Sequence, residues 1–152
     1  MKVGIVGYGF VGKAISMGLK KDVEVIKIDP LLGTNIDDLI AFNPDFIFLC
    51  LPTPMKKDGS QDLSILDSVF DDLNISDIDG LIILKSTVIP DNLSALSKKL
   101  KFVYNPEFLR EKYANEDFIN SKMIIFGGKE DPVSELSDFY INFLNCKNQD
   151  FI

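Results

Sequence analysis

Histidine is absent from this sequence, cysteine occurs only at Cys50 and Cys146, and basic residues are outnumbered by acidic ones, 16 to 23. Without histidine the chain lacks the commonest metal ligand and the commonest general base. The two cysteines are isolated and show no metal-ligand spacing, so no metal site is expected. The net charge of −7 argues against nucleic acid or an anionic membrane as a partner, because an acidic surface repels both. A phosphate-bearing ligand stays open, since a helix N-terminus holds phosphate with its own backbone N–H groups. No apolar run approaches the ~20 residues of a membrane span. Met1 leads straight into an apolar stretch with no leader layout, so the expectation is a cytoplasmic protein with reduced thiols. Repeats, low-complexity tracts and Gly/Ser linkers are missing too. The 152 residues, 46% hydrophobic and 26% charged, therefore read as one globular domain, 1–152.

Against these absences stands one dense feature. The apolar stretch Val3-Gly4-Ile5-Val6 runs into Gly7-Tyr8-Gly9-Phe10-Val11-Gly12, a GxGxxG turn where a first strand hands over to a first helix. Alone, that pattern is weak. Its context strengthens it: Val11, Ala14, Ile15, Gly18 and Leu19 keep helical spacing, and a second apolar strand ends in Asp29 about twenty residues on. In a dinucleotide site Gly7 allows the tight turn, Gly9 lets a pyrophosphate approach, and Gly12 lets the helix pack on the strand. Asp29 has two readings: an acceptor for a ribose diol that favours NAD over NADP, or the turn that Asp-Pro commonly makes. Lys27, the nearest cation in sequence, keeps NADP open.

Strands are expected at 2–6, 23–28, 46–50, 81–84, 102–104 and 123–126, and helices at 11–20, 63–73, 92–100, 106–115 and 132–144. The segment between Asp29 and Pro44 is short for a nucleotide-binding crossover, with at most about one and a half helical turns at 36–41. Nearly all-apolar strands alternating with helices predict an α/β, Rossmann-type, doubly wound and mainly parallel six-stranded sheet in three layers.

Ligands of such sheets bind beyond the carboxyl ends of the strands. Three further loops leave those ends. In Cys50-Leu51-Pro52-Thr53-Pro54 two prolines stiffen the exit around Thr53, and Asp62 farther on is a candidate helix cap. Cys50, ending an apolar run, reads as a small core residue rather than a nucleophile. The others are Lys85-Ser86-Thr87-Val88-Ile89-Pro90 and Asn105-Pro106-Glu107-Phe108-Leu109-Arg110-Glu111. Glu107 and Glu111 are four apart and share a face if the segment is helical. Such a pair positions a water or shares a proton; the bland alternative has Glu107 at a helix N-terminus and Glu111 in solvent.

Together these loops resemble the NAD-binding domain of the UDP-glucose/GDP-mannose dehydrogenase family. Cys-Leu-Pro-Thr-Pro with Asp62-Leu63-Ser64, Lys-Ser-Thr-Val, and Asn-Pro-Glu-Phe-Leu-Arg-Glu with Ala114, Asp117 and Phe118 look like its signatures in its order. Members oxidise the primary alcohol of a nucleotide sugar to a carboxylate, with two NAD per sugar. The resemblance implies that Gly7, Gly9, Gly12 and Asp29 hold adenosine and pyrophosphate, with Phe10 and Val11 also binding the cofactor. It implies that Pro52, Thr53, Ser86 and Thr87 line the cofactor, Thr87 near the reacting carbon. Glu107 would assist the water and thioester chemistry, and Glu111 would sit close to the substrate.

The departures carry as much information. The family's nucleophilic cysteine sits in a glycine-rich motif beyond a long central helix with a catalytic lysine, and this sequence contains neither. Asn145-Cys146-Lys147-Asn148 lacks the glycine-rich setting, so that role is not placed on Cys146. The stretch after Asp29 is shortened, and Lys112 stands where a small glycine is usual. The expectation is a domain that binds NAD and turns over little alone. A UDP-sugar is a further candidate ligand, and a second copy or a partner chain would supply the missing half. Two other readings stand beside it: a nucleotide-sensing NAD(H) module, and a small dehydrogenase with Lys85 as base. Phe139 and Phe143 are expected in the core; Phe151 is a candidate for an exposed face.

Overall fold

The computed structural model describes every residue except 77 and 147–149, and only the backbone at 150. Lys147 and Asn148, weighed above beside Cys146, thus lie outside the described residues. The order is β1 (Lys2–Val6), α1 (Phe10–Gly18), β2 (Glu24–Ile28), α2 (Ile36–Phe42), β3 (Phe46–Leu49), α3 (Ser64–Ile75), β4 (Leu81–Leu84), α4 (Pro90–Leu96) and β5 (Val103–Tyr104). Then follow α5 (Ala114–Ile119), β6 (Met123–Ile124), α6 (Glu130–Phe143) and β7 (Asp150–Phe151), with short 3-10 turns at Pro30–Leu32 and Glu111–Tyr113.

Five parallel strands form the sheet in the order β2-β1-β3-β4-β5. The fold is the expected doubly wound α/β architecture with one strand fewer. In the six-strand dinucleotide order 3-2-1-4-5-6, deleting the outermost strand of the first half leaves this arrangement. The deleted strand corresponds to the shortened stretch after Asp29. What remains there is a 3-10 turn and α2, whose seven residues exceed the helix expected and begin with a reciprocal capping box between Asn35 and Asp38.

The strand expected at 123–126 does not join the sheet as a sixth member. Met123–Ile124 pairs in parallel with Asp150–Phe151, and the backbone that follows meets the main sheet at an antiparallel bridge between Tyr104 and Gly127. Both N–H groups of that bridge donate at 2.7 Å. A two-residue strand carries too little pattern to announce its partner. The helix expected at 106–115 is likewise absent: the chain runs irregularly to Arg110, makes the 3-10 turn, and only then enters α5.

Period-two alternation explains the layering. On β3, Phe46 and Phe48 face one side, where they pack with Ile15, Phe118 and Phe139 beneath α1, α5 and α6. Ile47 and Leu49 face the other, packing with Leu39, Leu66 and Phe70 beneath α2 and α3. Both faces of the strand are buried, so its run is wholly apolar. Phe139 belongs to the core as expected, with Phe143 packed at its margin; Phe151 stacks on Phe126 at 5.4 Å.

The register aligns the strand ends. Val6 lies opposite Ile28 and Leu49, Leu49 opposite Leu84, and Leu84 opposite Tyr104. The loops after β1 to β5 therefore open on one edge. At that edge α1 lies so close to the turn before it that a Cβ on Gly12 would overlap the Gly7 carbonyl oxygen. Gly12→Ala is expected to lower stability by about 1–3 kcal/mol in urea denaturation, the backbone clash outweighing the gain in helix propensity.

Candidate functional site

Strand order reverses between β1 and β3, because β2 lies to one side of β1 and everything later lies to the other. Gly7 sits at that point. Its φ of +87° is left-handed, and its N–H donates to the Ile28 carbonyl at 2.8 Å, so a side chain is strained there and would also strike the Cys50 carbonyl. Gly9, by contrast, has nothing within 4 Å of where a Cβ would stand. It is exposed, together with Phe10, directly ahead of the N–H groups of α1, and Val11 is half-buried behind them.

The Asp29 carboxylate accepts from the Tyr8 N–H at 2.7 Å and from the Leu31 N–H at 2.9 Å. It fastens the glycine turn to the end of β2 and starts the 3-10 turn. Each carboxylate oxygen retains a further lone-pair site, so the turn-forming role does not preclude a ribose contact. Beyond it opens a cleft of about 830 Å³ walled by Ile36, Ile40, Ile65 and Val69, with Pro52 at its edge and the acids Asp29, Asp37 and Asp72 on its lining. Among the described residues the lining contains no lysine or arginine. Lys27 instead holds its ammonium over the Tyr8 ring, 4.7 Å from the centroid.

Across the reversal point, the loops after β3 and β4 are bound to each other. Ser86 is buried, and its hydroxyl accepts from the Leu51 N–H at 3.0 Å, so it braces the Pro52 loop from beneath. Thr53 donates its hydroxyl to the Thr87 carbonyl at 2.7 Å. Thr87 itself is exposed, and no hydrogen bond among the described residues engages its hydroxyl. Asp62 accepts from the Ser64 N–H at 3.0 Å, capping α3 from one position before the cap. Gln61 escaped the sequence reading. Its amide grips the same Thr87 carbonyl at 2.7 Å, but a lone glutamine in a polar loop gives no signal of this.

The third loop starts from a buried polar knot. The Lys85 ammonium donates to the Asn105 Oδ1 at 3.0 Å, the Tyr140 hydroxyl donates to the same oxygen at 2.6 Å, and the Asn105 amide donates to the Ile125 carbonyl at 2.9 Å. Lys85 is 4% exposed, so it is neither a solvent-facing base nor a partner of surface acids. Burial pulls its pKa down to about 8, although Cys50, Glu107 and Cys146 favour the charged form. Burial also pushes the thiols up, Cys50 to about 12 and Cys146 to about 11, leaving neither an activated nucleophile.

Glu107 and Glu111 do not share a helical face. The Glu107 carboxylate accepts from the Leu109 N–H inside the irregular loop, beside a cavity of about 30 Å³ that Lys85, Tyr140 and Cys146 also line. Glu111 is exposed on the 3-10 turn. Between them Arg110 makes a two-pronged ion pair with Asp117, at 2.7 and 3.0 Å, which folds the loop onto α5 and draws the Asp117 carboxyl down to about 2.

The Lys85 shift has a definite sign. Folded, Lys85 releases its proton near pH 8; unfolded, near 10.5, so the unfolded chain binds more protons between these values and stability rises with pH. The raised thiols act oppositely above their unfolded value of 9.0, where only the unfolded state ionises. In denaturation across pH 7 to 10, wild-type stability minus that of Lys85→Met is expected to grow from about pH 8 upward, and a flat difference contradicts the assignment.

Comparison with known proteins agrees with this geometry. The model of the UDP-glucose/GDP-mannose dehydrogenase family, NAD binding domain, matches residues 31–144. A UDP-glucose 6-dehydrogenase of Rickettsia conorii is 38% identical over 115 residues, which is 68% of this chain and 26% of the relative. That of Haloferax volcanii is 35% identical over 135 residues, 78% of this chain and 31% of the relative. Among solved structures, GDP-mannose dehydrogenase from Pseudomonas aeruginosa superposes with a TM-score of 0.77 at 19% identity, covering 100% of this chain and 46% of that one. The chain thus spans between about a quarter and a third of the two named curated relatives. The family match begins after the glycine turn and Asp29, and the shared fold supplies the likeness over that first stretch. The chain belongs to the UDP-glucose/GDP-mannose dehydrogenase family as an NAD-binding domain.

Proposed function

We propose that this domain holds NAD across the reversal point between β1 and β3, as the cofactor-bearing half of a nucleotide-sugar 6-dehydrogenase. The observation that carries the reading is the open space at Gly9, ahead of the α1 N-terminus and beside the acid-lined cleft. The N–H groups of α1 suit a pyrophosphate, and Gly7 and Gly12 permit the turn that aims them. Phe10 and Val11 follow Gly9 at the start of α1. The apolar cleft suits an adenine, and Asp29 suits the ribose diol. With Asp29, Asp37 and Asp72 on the lining and no cation there among the described residues, a 2′-phosphate finds no counter-charge on it, which favours NAD over NADP.

The remaining half of the dinucleotide extends toward Pro52, Thr53 and Thr87, with Ser86 as the brace beneath. When bound, NAD supplies a hydride acceptor. Thr87 presents a hydroxyl to the reacting region, and Glu107 holds a carboxylate that can accept a proton from water at Oε1 or Oε2. Glu111, exposed nearby, is positioned for a polar contact with the sugar nucleotide. Nothing among the described residues supplies an activated thiol, so covalent chemistry on the sugar needs a cysteine from outside this domain, in a second copy, a partner or another segment. Alone, the domain binds NAD and turns over a UDP-sugar slowly or not at all.

Isothermal titration tests this. Wild type is expected to bind NAD with saturation below millimolar concentration and NADP at least about tenfold more weakly. Gly9→Val, whose side chain projects into open space, is expected to leave the urea midpoint nearly unchanged while weakening NAD by at least about tenfold. No saturable binding by wild type sinks the reading, and so does full affinity in Gly9→Val.

A further inference from the structure

We propose that Gln61 is a positioning residue for Thr87, fixing the peptide on which the nicotinamide-side contact depends. The inference rests on the cofactor reading above. Gln61 Nε2 donates to the Thr87 carbonyl at 2.7 Å, while Oε1 accepts from the Ile89 N–H at 3.2 Å and from the Asn92 amide at 3.3 Å. One carboxamide therefore holds the backbone on both sides of Val88. Donor faces acceptor at every contact, which sets its orientation. The Thr53 hydroxyl takes the second site on the Thr87 carbonyl at 2.7 Å, so both lone pairs of that oxygen are engaged and the plane of the peptide is fixed.

The delivery of Gln61 is separate from what it grips. Residues 54–62 form a small hairpin closed by its own backbone: Lys56 N–H to the Ser60 carbonyl, Asp62 N–H to the Pro54 carbonyl, both 2.7 Å, around a Gly59 turn at φ +86°. The Gln61 side chain is not needed to close it. Its contacts go outward, to the Thr87 loop and the start of α4, a helix whose N-terminus has no side-chain cap of its own. Gln61 is half-buried and Thr87 exposed, while Val88 beside it is buried in the core, so the clamp holds the outward side of a loop whose inward side is packed. Fixing a reacting group through the backbone beneath it reduces the ordering cost that a ligand would otherwise meet.

The test uses the full chain as wild type, Gln61→Ala and Gln61→Glu, titrated with NADH and with ADP-ribose, which lacks the nicotinamide. Gln61→Glu keeps acceptors for Ile89 and Asn92 but cannot donate to the Thr87 carbonyl. Both variants are expected to weaken NADH by about three- to tenfold, the scale of one or two hydrogen bonds, with ADP-ribose changed by less than about twofold. Gln61→Glu is expected to be no better than Gln61→Ala. Equal losses on both ligands mark a merely structural role and overturn the proposal, as does unchanged NADH affinity or a Gln61→Glu variant that restores it. Thermal midpoints confirm folding of each variant. A wild type that binds neither ligand overturns the cofactor reading itself, an outcome distinct from failure of the clamp alone.

Discussion

Everything at the working edge depends on how closely three pieces of backbone meet around Gly7. Its N–H is bonded to the end of β2, the Cys50 carbonyl crowds the place a side chain would need, and Gly12 brings α1 against its carbonyl oxygen. No residue with a Cβ satisfies all three contacts without displacing a backbone. The consequence is geometric: α1 starts immediately above the point where strand order reverses, and the first N–H groups of a helix have no partner within it. Asp29 then locks the turn from the side through the Tyr8 N–H. The carboxylate that lines the cleft is thus also the one that holds the glycine turn in shape.

A second constraint governs the far side. The loops carrying Thr53, Thr87 and Glu107 are tied by polar cross-links as well as by inward residues such as Val88 and Leu109. Ser86 ties β4 to the Pro52 loop, Thr53 and Gln61 meet on the Thr87 carbonyl, and the Lys85–Asn105–Tyr140 knot anchors the start of the Glu107 loop. Lys85 keeps a buried amine only because the Asn105 oxygen receives it, and the cost shows in its lowered pKa. The half of the site near Asn105 is thereby coupled to α6, which contributes Tyr140. The Asn105 oxygen is one point at which that helix and the start of the Glu107 loop meet.

Much of this was legible in the sequence because local pattern and tertiary role coincide. An apolar strand leading into GxGxxG marks the turn from β1 into α1, and Asp29 stands at the end of β2, where a β-α-β unit places it. Helices 63–73 and 132–144 were readable from their spacing. The failures share a cause, which is information that is not local. Met123–Ile124 is too short to reveal that it pairs with Asp150–Phe151 rather than with β5. The i, i+4 spacing of Glu107 and Glu111 fits a helix, but the carboxylate of Glu107 bonds two residues ahead and Arg110 is drawn to Asp117, so the segment follows its side chains instead. Lys85 looked reachable at a strand end until packing closed over it. Gln61 carried no pattern at all, since its partners lie 26 to 31 residues away and two of them are backbone atoms. The capping box at Asn35 and Asp38 was present in the sequence, and it accounts for α2 being longer than its few apolar residues suggest.

The central claim is that a dinucleotide lies across the reversal point, adenosine toward Asp29 and the other end toward Thr87. Backbone amide NMR of the labelled domain during addition of NAD measures this directly. The account predicts saturable shifts at Tyr8 to Gly12, at Asp29 and Ile36, and at Thr53 and Thr87, with the core of α6 about Leu136 unmoved. Shifts confined to other surfaces, or none up to millimolar NAD, would contradict it.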